Sequence, residues 1–363
     1  MIERTIDNLY ALGEEIANDK GETFGTEHVA QAMDRIIPGA AYYDGKVHND
    51  SEELIEADSL EVKLNKLFDR SKLYLKYDRL LAEKGYQGNR EIDAAIKRLA
   101  VWDAHWPEMR TLFERGLLTP EEFNLSTLSL MCKINGMFLG REVLNRDFTF
   151  YTHMQVFDFF VQKNPYVSVS MQDAENKIRL LEMPRGAFKS VSDGIDCTQW
   201  IIVNPDIRIT FLTATLELAK EFVGEIKRYF TLDPDSGPTP FQRIFANDIR
   251  FERPKKSGQF ERLNFMLVEG KEGKEKEFNC PARTKDDQAT KGATIWASSV
   301  GAGKVGKHCD VSKADDAVDE KNTDTPKLIA KTKKRIGMAM KLVDPGGYKD
   351  NLGTPYAPND WYS

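Results

Sequence analysis

Through the first third of the chain, apolar residues recur at helical spacing. From about residue 175 they give way to short apolar runs that alternate with amphipathic stretches. Leu60, Leu64, Leu67, Tyr74, Tyr77 and Leu81 lie on one face of a predicted helix, with charged residues between them. Turn-like breaks fall at Pro38-Gly39 and in the run from Lys84 to Gly88. Thr119-Pro120-Glu121-Glu122 reads as an N-cap, a proline at the first helical position and acids in the first turn. Trp102 and Trp106 are read either as packing for a small helical core or as an interaction surface. Further on, residues 178–183, 206–213, 263–268 and 294–298 are strand candidates, and Leu216, Ala219, Val223, Ile226 and Phe230 share one helix face. Strand–helix alternation of this kind predicts an α/β fold with a mainly parallel central sheet flanked by helices, preceded by a helical N-terminal region. The charged, glycine-containing stretch 253–278 suits an exposed hairpin or insertion.

Composition narrows the class. With 363 residues, 41% apolar and 30% charged, the chain has the make-up of a globular protein large enough for two domains. No apolar run approaches the length of a membrane span, and the N-terminus lacks a signal-peptide pattern. Cys132, Cys197, Cys280 and Cys309 lie far apart with no C-x-x-C pair, which argues for reduced thiols rather than a disulfide framework or structural zinc. A net charge of −6 means that any contact with nucleic acid is local or shared with other subunits.

Two glycine-bearing segments compete as anion-binding loops. In the first, a strand candidate runs through Met183-Pro184-Arg185-Gly186-Ala187-Phe188 into Lys189-Ser190 at the head of a predicted helix. Backbone N–H groups and a helix N-terminus facing an anion, with a lysine for phosphates and a hydroxyl for Mg²⁺, make a phosphate-binding loop. An ordinary helix start uses the same residues, and the standard spacing would place glycines at Met183 and Phe188. The second segment, Gly301-Ala302-Gly303-Lys304-Val305-Gly306-Lys307, fits the literal pattern better. Yet His308 follows where a hydroxyl is needed, and no amphipathic helix comes next, so it reads as a connector. Asp315-Asp316, with Glu320 further on, is the acidic element: one carboxylate for a metal and a second for an attacking water, or alternatively a helix cap.

Taken in order from about Leu128 to the C-terminus, these segments resemble the ATPase domain of the large terminase subunit of tailed bacteriophages. Residues 144–153 look like the lead-in near the adenine, and 183–190 like a deviant Walker A motif that carries an arginine. Thr213–Lys220 resembles the element after the second strand, Asp315-Asp316 the Walker B pair, and the run from Gly353 to Tyr362 the coupling motif. Three departures stand out. Val311-Ser312-Lys313-Ala314 carries a lysine where that family has four apolar residues. The catalytic carboxylate, usually glutamate, is here Asp316, with Glu320 in reserve. The family's C-terminal nuclease domain has no counterpart among these 363 residues, which close on the coupling motif, so an ATPase domain alone is expected here.

The resemblance implies a RecA-like P-loop ATPase of the additional-strand (ASCE) class over 124–363, after a helical region over 1–123 of unread role. It implies that Pro184, Arg185, Gly186, Ala187, Phe188, Lys189 and Ser190 bind ATP, with Arg185 sensing the γ-phosphate. Ser190 and Asp315 would hold Mg²⁺, Asp316 or Glu320 would position water, and Gly353, Thr354 and Pro355 would transmit the nucleotide state. Arg243, Arg250, Arg253 and Arg283 are the candidates for an arginine supplied by a neighbouring subunit. The implied task is ATP-driven translocation of double-stranded DNA into a procapsid in the host cytoplasm. DNA would be held through its phosphate backbone, with portal protein and small terminase subunit as partners. The chain would form a homo-oligomeric ring on the portal; in isolation it would be a weakly active monomer. The alternatives are a vestigial P-loop module with a DNA-binding or scaffolding role and a helicase-like ATPase. Lys255-Lys256 and the basic run 331–335 are candidate DNA contacts or plain solvated faces.

Overall fold

The computed structural model describes residues 9–36, 59–84, 90–161, 178–184, 186–248, 252–254, 260–268, 274–284, 292–301, 307–354 and 359–362. The chain divides into two compact units: residues 1–169 with 239–244, and residues 170–238 with 245–363. The sequence places the division at 123/124, whereas in the structure the described helices up to Val161 belong to the helical unit.

Unit 1 is helical: α1 (Leu9–Lys20), α2 (Thr26–Ile36), α3 (Leu60–Lys84), α4 (Arg90–Glu114), α5 (Pro120–Ile134), a buried π-helical turn (Phe138–Val143) and α6 (Phe150–Val161). The predicted face of α3 turns inward, with Leu67, Tyr74, Tyr77 and Leu81 buried, and Tyr74 and Tyr77 packing edge-on against Phe138 and Phe150. Thr119 forms the expected cap: its hydroxyl accepts the Glu122 N–H while the Glu122 carboxylate accepts the Thr119 N–H. Trp102 and Trp106 stack at 5.0 Å, and Trp106 packs on Phe123, so the pair joins α4 to α5. Asp34 accepts the first N–H groups of α6, from Phe150 at 2.6 Å and Tyr151 at 2.9 Å. Arg98 of α4 is buried between Asp78 of α3 and Asp158 of α6.

Unit 2 is α/β. Its main elements are β1 (Ile178–Glu182), α7 (Lys189–Val203), β2 (Ile209–Thr213) and α8 (Leu216–Phe230). After α9 (Pro240–Phe245), which straddles the unit boundary, come β7 (Glu277–Phe278), β8 (Ile295–Ser299), β9 (Cys309–Asp315), α10 (Pro326–Met340) and β10 (Val343–Gly353). Between them lie the short β3 (Thr231–Leu232), paired with β6 (Leu267–Val268), and the hairpin β4–β5 (Glu252–Pro254, Phe260–Arg262) inside the charged stretch. The central sheet has the order β1-β10-β9-β2-β8-β7, parallel except for β7. Its inner strand β2 is buried at all five positions, as a strand covered on both faces must be.

Strand order positions the site. Although β10 is the last strand in sequence, it lies between β1 and β9. The register aligns Glu182 with Gly353 and Leu352 with Asp315, so the carboxyl ends of these strands share one edge. In open parallel sheets that edge is where ligands bind. The four cysteines are buried and form no disulfide, and no described helix is long and apolar enough to cross a membrane.

Candidate functional site

The loop after β1 is shaped by backbone conformations that few residues adopt. Gly186 has φ +81°, the left-handed region that glycine enters without steric cost, and Phe188 has φ +52°. Phe188 stands at the N-cap of α7 with no side-chain cap, so the first N–H groups of the helix are not closed off by a neighbouring side chain. Pro184, Gly186 and Phe188 are exposed, which leaves this backbone open to an anion.

Lys189 does the opposite and folds inward, 7% exposed, onto the end of β9. Its ammonium pairs with Asp316 and lies 3.4 Å from Asp315 Oδ1. Asp315 is buried, and neither of its carboxylate oxygens completes a hydrogen bond of good geometry. Burial pushes its pKa up, the Asp316 charge adds to the rise, and Lys189 and the Ser190 hydroxyl oppose it. Asp316 follows at φ +42°, left-handed for a non-glycine residue. Two backbone bonds hold it there: its N–H donates to Leu352 O at 3.0 Å, and its carbonyl accepts the Ala214 N–H at 3.1 Å. The strained turn carries its side chain out of the strand to Lys189.

Beneath the loop lies a charge cluster that the sequence did not announce. The Lys313 ammonium, fully buried, lies 2.9 Å from Asp193 and 2.8 Å from Asp350 and also pairs with Asp196. Arg179 of β1 binds Asp350 at 2.6 Å and approaches Asp196 at 3.7 Å. Lys313, a lysine within the buried strand β9, is therefore matched by carboxylates from α7 and β10. Burial alone would lower the Lys313 pKa, but its three carboxylates outweigh burial and hold it well above the ordinary value. Burial likewise would raise Asp350, which Arg179 and Lys313 instead hold below the carboxylate range. Asp193 is raised, chiefly by burial. The one sequence clue was spacing: Asp193 and Asp196 fall four and seven residues after Lys189, on the same helix face.

The last strand and the segment after it complete the edge. Thr354 Oγ1 donates to Met183 O at 3.2 Å, which ties the end of β10 to the start of the loop. Tyr362 packs over Gly353, where any side chain would overlap its ring. The other expected site residues are placed differently. Glu320 is exposed and opens a short 3₁₀ turn (Glu320–Asn322) capped by Asp319, and its carboxylate has no ion pair with Lys189. Lys307 pairs with Glu277 at 2.6 Å and sits over the Trp296 ring, so it is not brought to the acidic pair. Arg243 pairs with Glu121, and Arg283 is buried with Nη1 on Gly292 O at 2.9 Å, poorly placed to reach another copy. Arg185, Arg250, Pro355, Lys304 and Lys255-Lys256 lie outside the described residues, as does the Arg253 side chain.

An ammonium, open helix N–H groups, a hydroxyl and a buried carboxylate with unused oxygens suit a polyanion that arrives with a hard cation. Among the described residues no group of three or more His, Cys, Asp or Glu side chains forms a metal cage. That is compatible with Mg²⁺, which keeps its waters and takes one or two protein oxygens plus substrate phosphates. No family model matches the sequence, and no curated protein matches it.

Proposed function

We propose that unit 2 is a Mg²⁺-dependent ATPase of the additional-strand class, and that the chain is the motor domain of a large terminase that drives double-stranded DNA into a procapsid. The observation that carries this reading is the meeting of Lys189, at the head of the helix after β1, with Asp315-Asp316 at the end of β9 across an interposed strand β10. An interposed strand of this kind separates the phosphate-loop strand from the acidic strand in the additional-strand class.

In this reading the 184–189 backbone and Lys189 take the β- and γ-phosphates. Lys189 exchanges its carboxylate partners for phosphate oxygens when nucleotide arrives. Ser190 and Asp315 would hold Mg²⁺, which would supply positive charge to the phosphates, and an Asp315 carboxylate whose oxygens complete no hydrogen bond of good geometry fits that role. Asp316 orients the water whose oxygen bonds to the γ-phosphorus as the bond to the bridging oxygen of ADP breaks, and it accepts the proton. Catalysis of this kind rests on positioning and charge, so the isolated chain is slow without an arginine from a neighbour. DNA contacts are to phosphates. The exposed Lys331, Lys334 and Arg335 on α10 are the best-placed described candidates, with the portal and the small terminase subunit as further partners.

Steady-state hydrolysis against protein concentration, with Lys189→Ala as control, tests the proposal. Loss of activity by about a hundredfold or more in the variant, with wild-type activity rising faster than linearly, is the expected result. Unchanged activity in the variant rejects the loop assignment. Absence of any Mg-ATP effect on Tm favours a scaffold over an ATPase.

A further inference from the structure

The Tyr362 hydroxyl makes two hydrogen bonds, and both end on backbone that flanks Asp316. It accepts the Ala317 N–H at 3.1 Å and donates to Leu352 O at 3.0 Å. Leu352 O is also the acceptor of the Asp316 N–H. Asp316 N–H, Leu352 carbonyl, Tyr362 hydroxyl and Ala317 N–H therefore close a small ring around a residue held at φ +42°. A strained turn persists only where its surroundings over-determine it, and this ring, with the Ala214 bond on the other side, is what does so.

The tyrosine is itself held in place. It is 4% exposed and packs among Ala317, Val318 and Ile336. Its ring is seated where Gly353 has no side chain. Its N–H bonds to Asp360 Oδ1 at 2.8 Å, and neighbouring Trp361 donates to Asn351 Oδ1 at 2.8 Å. Trp361 and Tyr362 are thus fixed to residues 351–353, while the same β10 end bonds the start of the phosphate loop through Thr354. One side chain connects the end of β10 with the backbone of the carboxylate that faces Lys189.

We propose that Tyr362 is a positioning residue that holds Asp316 in its outward, left-handed conformation, so that displacement of Tyr362 withdraws the carboxylate from the reacting phosphate. The role in turnover rests on the nucleotide reading above; the clamp itself does not. Tyr362→Phe keeps the ring over Gly353 and removes only the hydroxyl.

Two measurements on the full chain decide it. In nucleotide-free protein, hydrogen exchange at Asp316 and Ala317 is expected to quicken at least about tenfold in the variant, while exchange elsewhere in the sheet is unchanged. In steady-state kinetics referred to the concentration of folded protein, with an unchanged Tm as the control for folding, kcat falls about tenfold or more and KM for Mg-ATP stays within twofold. Unchanged exchange at Asp316 and Ala317 overturns the clamp. Faster exchange with unchanged kcat overturns the role in turnover. If wild-type protein neither binds nor hydrolyses Mg-ATP, the nucleotide reading fails with its role in turnover, and the exchange result alone upholds or overturns the clamp.

Discussion

Each unit buries cations among carboxylates, but the two do so in different ways. In unit 1, Arg98 spreads its guanidinium over three hydrogen bonds, two to Asp78 and one to Asp158, and braces three helices. In unit 2, Lys313 is a single ammonium touched by three carboxylates, with Arg179 taking the far side of Asp350. A planar fork fixes geometry between a few partners, whereas a point charge gathers whatever surrounds it. The first cluster ties helices to each other. The second joins α7, β1, β9 and β10, among them the elements that carry Lys189 and Asp315. Helix starts differ in the same sense: α5 is closed by a capping box, while α7 begins without a side-chain cap.

The largest test of this contrast is Lys313→Met. Removing the ammonium leaves Asp193 and Asp196 buried without their close cation, and unit 2 should lose about 3–5 kcal/mol, read by chemical denaturation. A loss below about 1 kcal/mol would mean that water or relaxation already compensates the cluster.

The next concerns pH in unit 1. Burial, opposed by Arg98, raises the Asp158 carboxyl to about 7. Its folded pKa is above the unfolded value, so the stabilising proton is fully bound below about pH 4 and lost as pH rises towards 7. Stability of unit 1 should therefore fall over that window, by at most roughly 4 kcal/mol. Asp158→Asn should flatten the slope, and an unchanged slope would assign it to another group. In unit 2, Asp350 acts with the opposite sign. Its pKa is held low by Arg179 and Lys313, so its contribution is present above about pH 4 and lost on acidification.

The smallest effect expected is at the capped helix. Thr119→Ala should cost about 1 kcal/mol by removing the acceptor for the Glu122 N–H, measurable as a shift in Tm.

Much of the fold was legible where it depends on near neighbours. The α3 face, the Thr119 cap, β2 and the α8 that follows it all follow from periodicity and capping, whose physics acts within a turn or a pleat. The Lys189-Ser190 helix start and the Asp315-Asp316 pair were legible as separate pieces. Their meeting was implied only by the family resemblance and not by periodicity or spacing, since it spans well over a hundred residues and requires β10 to lie between β1 and β9. Lys313 looked like a defect in a buried strand because its partners come from another helix and another strand. Tyr362 was visible only as one residue of a C-terminal run.

The sequence by itself determined which segments become helices and strands, where α5 is capped, and which side chains have the chemistry for an anion and a cation. It did so because helix and strand preferences are set by residues a few positions apart. Only the tertiary structure decided that Lys189 faces the acidic pair, that Lys313 is neutralised by Asp193, Asp196 and Asp350, and that Tyr362 closes a ring around Asp316. Those contacts arise from strand order and register, which bring distant residues together through packing of the whole sheet.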